Sequence, residues 1–258
     1  MNQVNIQAEV SPATTIDQVV EELSSIIEQS LGQNSRLGYF PALYRKVTVR
    51  AKEGIAAGRF EDAERMQQLD VVFANRYLLA LQQLQNGLRP SKSWRVAFEA
   101  SDSWHLLILQ HLLLGMNAHI NLDLGIAAAQ TSPGEKLPGL ERDFGEINKI
   151  LSELLDEVQA EIGTLSPWLG LLDRLAGRTD EAVVNFSMQR ARDAAWNVAE
   201  RLAFLSPEAR EAEIARLDGE VAKLARFVRN PGKILQIITF LIKIRESNDV
   251  AKNIAFLS

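Results

Sequence analysis

Leu109-Gln-His-Leu-Leu-Leu-Gly-Met-Asn-Ala-His-Ile-Asn-Leu-Asp-Leu-Gly-Ile126 is the stretch on which the fold turns. It reads as most of one helix, from about Trp104 to Ala129, in surroundings made for burial. All three histidines of the 258-residue chain, His105, His111 and His119, lie in this helix, and Asn117, Asn121 and Asp123 interrupt its apolar residues. Polar groups removed from water cost free energy unless they find partners, so the run calls for an explanation that a purely structural helix does not supply.

The rest of the chain has helical periodicity almost throughout. Thr15-Ile-Asp-Gln18 has the form of a capping box and opens a helix to about Leu31. Further helices are predicted over Pro41–Ala57, Phe60–Leu84, Trp94–Ala100, Leu140–Ile162, Pro167–Ala176 and Asp180–Leu205. Ser206-Pro207 and Asn230-Pro231 each read as an N-cap followed by proline at the first helical position. Thr131–Gly139, with two prolines and two glycines, is the clearest break. No stretch alternates at period two, so the expected fold is all-α, one bundle of about eight to ten helices. It forms a single domain over 1–258, with 1–35 and 226–258 as peripheral or oligomer-forming helices.

Composition removes several function classes. A net charge of −5 with scattered basic residues argues against a nucleic-acid partner. With no cysteine, thiolate catalysis and sulfur-ligated metals are excluded, and any metal would be held by nitrogen and oxygen. Met1–Pro12 lacks the pattern of a signal peptide and Ile234–Ile242 is too short to span a bilayer, so the expectation is a cytoplasmic protein with no integral membrane segment. Phosphate-loop, Gly-x-Ser-x-Gly and His-Glu-x-x-His motifs are absent, as are the paired Glu-x-x-His motifs of a dinuclear iron site.

The candidate site grows from the histidine helix. His119 and Asp123 are about 6 Å apart along the axis and about 40° round it, so one ion or substrate can reach both. His111 lies about 12 Å from His119 on a straight helix, and a shared metal would need a bend at Gly115. His105 is read as structural. On the Phe60 helix, Asp70 projects with Ala63, Met66, Ala74 and Tyr77, which places a carboxylate on the buried stripe; it either pairs with a group such as Arg76 or faces the histidine helix. Asn75, Tyr77, Asn117 and Trp196 are the candidate substrate-binding residues, although Asn117 and Asn121 point well away from His119. Asn-Leu-Asp-Leu-Gly125 can also be read as a helix stop. Asp143 is read as a helix-start aspartate, Arg190 and Arg192 as solvated, and the tryptophans as packing.

Tyr39-Phe-Pro-Ala-Leu-Tyr-Arg, Leu69-Asp-Val-Val-Phe-Ala-Asn-Arg-Tyr77, the quoted histidine stretch, Asp143-Phe-Gly-Glu-Ile-Asn148 and Ala191-Arg-Asp-Ala-Ala-Trp196 together resemble an uncharacterised, mostly bacterial all-helical family, a domain of unknown function. The resemblance covers most of residues 39–205. It implies no settled activity, and inclines toward small-molecule biosynthesis.

Three functions are therefore expected. The first is a metal-dependent small-molecule enzyme in which His119, Asp123, Asp70 and His111 hold zinc, iron or manganese. The second keeps the pocket without the metal. His119 or His111 acts as base or nucleophile, Asp70 or Asp123 orients it, and Arg76 or an asparagine stabilises an oxyanion during cyclisation or carbon–carbon bond formation. The third is a non-catalytic interaction protein, supported by the apolar stripe of Ile234–Ile242, which is suited to a homodimer seam.

Overall fold

The computed structural model describes residues 12–166 and 188–258, and the segments predicted as Pro167–Ala176 and the start of the Asp180 helix lie outside them. The described residues form eleven α-helices and no strand: α1 Ile16–Gly32, α2 Tyr39–Ala56, α3 Ala63–Gln85, α4 Lys92–Ala100, α5 Ile108–Ala118, α6 Gly125–Thr131, α7 Glu141–Leu165, α8 Met188–Ala203, α9 Pro207–Arg229, α10 Lys233–Lys243 and α11 Val250–Leu257. The all-α expectation holds. Helix starts follow local chemistry, because Thr15, Asp62, Ser91, Ser206 and Asp249 each accept a backbone N–H from the first turn. Gln18 accepts from the backbone of Thr14, one residue before the position that a capping box uses.

Two boundaries differ from expectation. Asn230 ends α9 rather than opening a helix, and α10 begins two residues after Pro231 behind Gly232. The break at 131–139 is mostly a 3₁₀ helix, Gly134–Leu140, that leads into α7.

The centre of the bundle is the histidine rod itself. It starts at Ile108, later than Trp104, and runs through α5, a six-residue π turn over His119–Leu124, and α6. Around it pack α2, α3, α4, α8 and α9. The 24 residues Ile108–Thr131 are long and apolar enough to cross a membrane, yet 89% of the tested stretch is buried inside the fold. Two glycines let neighbours approach. A Cβ at Gly115 would lie 2.4 Å from the Phe40 ring, and one at Gly125 would lie 2.6 Å from the Ala195 carbonyl oxygen. Gly125 thus continues the rod where α8 crosses it, and the helix-stop reading of this stretch is overturned.

Three buried carboxylates from distant parts of the chain secure helix starts. Asp143 accepts from the backbone N–H of Glu61 and Asp62 and from Arg65, so it caps the approach to α3 rather than its own helix. Asp218 accepts from the N–H groups of Lys92 and Ser93 and from the Ser93 hydroxyl at the start of α4. Glu246 accepts from the Ile108 N–H and from Lys243 at the start of α5. Asp218 and Glu246 meet orphan amides that a helix leaves in its first turn, and Asp143 holds the two amides just before one. The inner face of α10 buries Leu235, Ile238 and Ile242, whereas Ile234, Ile237, Leu241 and Ile244 stand exposed on its other face.

Candidate active site

The π turn sets the geometry of the site. One extra residue in the turn shifts the side chains that follow it, and such bulges concentrate at functional positions. His119 opens the turn and Asp123 lies near its end, both buried. They do not share a ligand sphere. One Asp123 oxygen accepts from Arg76 Nε at 2.7 Å and the other from Trp94 Nε1 at 2.7 Å. Burial pushes the Asp123 carboxyl up, while Arg76 and the indole N–H pull it back. Arg76, expected as a partner of Asp70 or a stabiliser of an oxyanion, is thereby tied to Asp123.

His119 sits in an aromatic cage. Phe73 stacks on it with ring centroids 3.6 Å apart and planes 11° from parallel. Tyr44 meets it edge-on at 4.3 Å and Phe40 at 5.5 Å, with Trp94 and Tyr77 beyond. Neither ring nitrogen has a hydrogen-bond partner among the described residues. Burial first, then the positive charges of Arg76 and Arg192, holds its pKa well below the ordinary 6.5, so His119 is a neutral imidazole at physiological pH.

Asp70 is the second unpartnered group. Its Oδ2 is sealed from water with no donor among the described residues, and burial alone pushes the carboxyl up to about 7. Tyr44 is felt from both sides: its ring touches His119, and the Asp70 charge adds to the burial that raises its phenol well above 10.0. The Tyr44 hydroxyl is likewise buried and, with Thr48 as its nearest polar neighbour, makes no well-formed hydrogen bond among the described residues. Arg192 completes the set. It is buried beneath the Phe144 ring rather than solvated as its position near Arg190 had suggested, and its guanidinium carbon lies 5.1 Å from the ring centroid. Its Nε has no hydrogen-bond partner among the described residues, and burial lowers its pKa to about 9, which leaves it cationic at neutral pH.

The remaining candidates fall elsewhere. His111 stands edge-on to Tyr39 at 5.6 Å, away from the cage, with a backbone hydrogen bond to Ser103; burial and then the charges of Arg36 and Lys243 lower its pKa to about 3. Asn75 bridges the backbone N–H and carbonyl of Ala13. Asn117 donates to the Val221 carbonyl and accepts from Asn121, so both amides fasten the rod to α9. Tyr77 packs among Phe40, Trp94 and Phe98. Trp196 leans on Phe144 at 5.0 Å and donates to Glu200. His105 is exposed beside Trp104, and Trp168 lies outside the described residues. Among the described residues no three His, Asp or Glu side chains gather so as to hold a metal ion. Of the four expected ligands, Asp123 lies in the Arg76 pair, His111 against Tyr39 and His119 in the cage, while Asp70 is linked to the cage only through its charge on Tyr44.

The profile of a family of unknown function, DUF5995, matches residues 16–231. The chain belongs to the DUF5995 family. The DUF5995 match reaches beyond the 39–205 span on which the resemblance was read, taking in α1 and all of α9, and it ends before α10. No curated protein and no solved structure is significantly similar to this DUF5995 chain.

Four residues of the site are not among those expected from the sequence, and one of them carries a signal there. Arg192 stands three, seven and ten residues before Ala195, Ala199 and Leu202, on the apolar stripe of α8, so its burial was legible. Tyr44, Phe40 and Phe73 are ordinary core aromatics in sequence. Only their convergence on an imidazole distinguishes them.

Proposed function

We propose that the protein is a small-molecule enzyme whose caged centre performs acid/base chemistry without a metal. One observation carries the reading: Asp70 Oδ2, both nitrogens of His119, the Tyr44 hydroxyl and Arg192 Nε are all buried atoms without a hydrogen-bond partner among the described residues, and contact or charge links these groups through Tyr44 and His119. Leaving a single buried polar group unmet costs about 1–3 kcal/mol, so several in one place are hard to explain by stability. A substrate that supplies the missing partners would explain them.

The protonation states suit proton transfer. Neutral His119 is available as a base, and Asp70, balanced near neutrality at about 7, can give or take a proton. Cationic Arg192 and the un-ionised Tyr44 hydroxyl suit an oxygen that gains negative charge as a proton leaves the adjacent carbon. The aromatic walls favour a largely apolar carbonyl compound and keep water away. Phe73 is the only ring of the cage that is not fully buried, and its movement off the imidazole face would admit such a molecule.

The purified protein should be incubated with a small-molecule extract and followed by mass spectrometry. Conversion of a compound by the wild type, in the presence of chelator, and at least 100-fold more slowly by Asp70→Asn and His119→Ala is the expected result. Equal conversion by wild type and variants removes the acid/base role, and loss of activity on chelation restores the metal-dependent reading.

A further inference from the structure

On the far side of the Arg76–Asp123 pair lies a cleft that the caged centre does not use. It has a volume of about 510 Å³, within the range of small-ligand sites, and lies between α3, the 89–91 loop and the first turn of α4. Val72, Leu79, Ala80 and Trp94 give it an apolar wall, which accounts for Leu79 standing 54% exposed on a helix whose other leucines are better covered. Its polar groups are mostly donors. Arg76 spends only Nε on Asp123, and Arg89, Gln83 and Gln130 make no hydrogen bond or ion pair among the described residues.

Charge narrows the ligand class. The lining holds two arginines and one carboxylate, so a single positive charge is uncompensated. The amides at the start of α4 are already taken by Asp218 and Ser91, so no helix terminus adds to it. One spare positive charge beside a planar arginine fork and an apolar wall fits a planar monoanion better than a dianion. We propose that this cleft binds the carboxylate of a small molecule with an apolar body. Arg89 and the outer nitrogens of Arg76 hold the carboxylate, and Leu79 and Trp94 cover the body. The same Arg76 grips Asp123, which receives the Trp94 indole N–H, so occupancy is reported at that proton.

Benzoate, with benzamide as its neutral counterpart, tests the assignment. The protein is labelled with ¹⁵N-tryptophan, and the Trp94 indole resonance is assigned by replacing Trp104, Trp168 and Trp196 one at a time with phenylalanine. Benzoate should shift that resonance saturably and benzamide should not. Arg89→Gln, on an exposed side chain that folding does not need, should weaken benzoate about tenfold, the loss of one charge-assisted contact. His119→Phe should bind benzoate as the wild type does, because His119 does not line the cleft and Trp94 is the one ring that borders both. The proposal is overturned if benzoate leaves the resonance unmoved, if benzamide binds equally well, if inorganic phosphate binds more tightly than benzoate, or if Arg89→Gln has no effect. Loss of benzoate binding in His119→Phe would remove the separation of the two sites.

Discussion

Two groups of buried polar side chains in this bundle are treated in opposite ways. Asp143, Asp218 and Glu246 lie as deep as the core leucines, and each accepts from backbone amides at or just before a helix start and from a neighbouring side chain. By contrast, both nitrogens of caged His119 and Oδ2 of half-buried Asp70 are sealed from water and meet no partner among the described residues. The fold therefore has a working means of satisfying a buried carboxylate and applies it three times. Other unmet atoms, among them His111 Nε2, Ser132 Oγ and Asn253 Oδ1, lie singly elsewhere, but around the π turn the bare groups gather and include a carboxylate and both nitrogens of an imidazole. That contrast separates groups that hold the structure together from groups held ready for something outside it.

The largest effect is expected from breaking the first kind. Asp218→Ala strands two backbone amides and the Ser93 hydroxyl at the start of α4, and should destabilise the protein by about 3 kcal/mol in urea unfolding. A loss below about 1 kcal/mol would place Asp218 among the dispensable surface charges.

Asp70→Asn should do the reverse. A carboxyl whose folded pKa is about 7 against an ordinary 3.8 binds its proton more tightly in the folded state, so it destabilises the fold progressively as pH rises from about 4 to 7 and fully above that. A shift of this size corresponds to about 4 kcal/mol, of which an asparagine that still carries unmet amide atoms recovers about half. Thermal melting should show the variant more stable at pH 8 and equal to the wild type at pH 4. Equal melting temperatures at both values would mean that Asp70 has a partner after all.

The smallest effect sharpens the same line from the other direction. His119 has a depressed pKa, so its contribution is fully present above 6.5 and declines as pH falls from there toward the folded value. His119→Phe should remove part of that acid sensitivity, with a gain of about 1 kcal/mol at pH 5 and little at pH 8, while His111 keeps the remainder of the slope. A variant less stable than the wild type at every pH would show the imidazole to be structural.

Much of the architecture was legible because periodicity and capping chemistry are local. Thr15, Ser206 and the stripe through Met66, Asp70 and Tyr77 all announce themselves within one or two turns of helix. The π turn does not. It is flanked by Gly115, which admits Phe40, and Gly125, which admits α8, contacts made by residues far away in the chain. The same reason hid the true partner of Asp123, since Arg76 is 47 residues distant and equally well placed on paper to serve Asp70. Asn230-Pro231 misled because proline follows a helix as readily as it opens one, and only the chain's direction after α9 decides between them.

Glu246 lies 15 residues past the end of the family match, yet its carboxylate seats the amide of Ile108, the first residue of the central rod. Trimming the protein at residue 231 would thus spare every group in the cage and still loosen the axle on which they turn. What this chain adds at its end is a fastening for its middle.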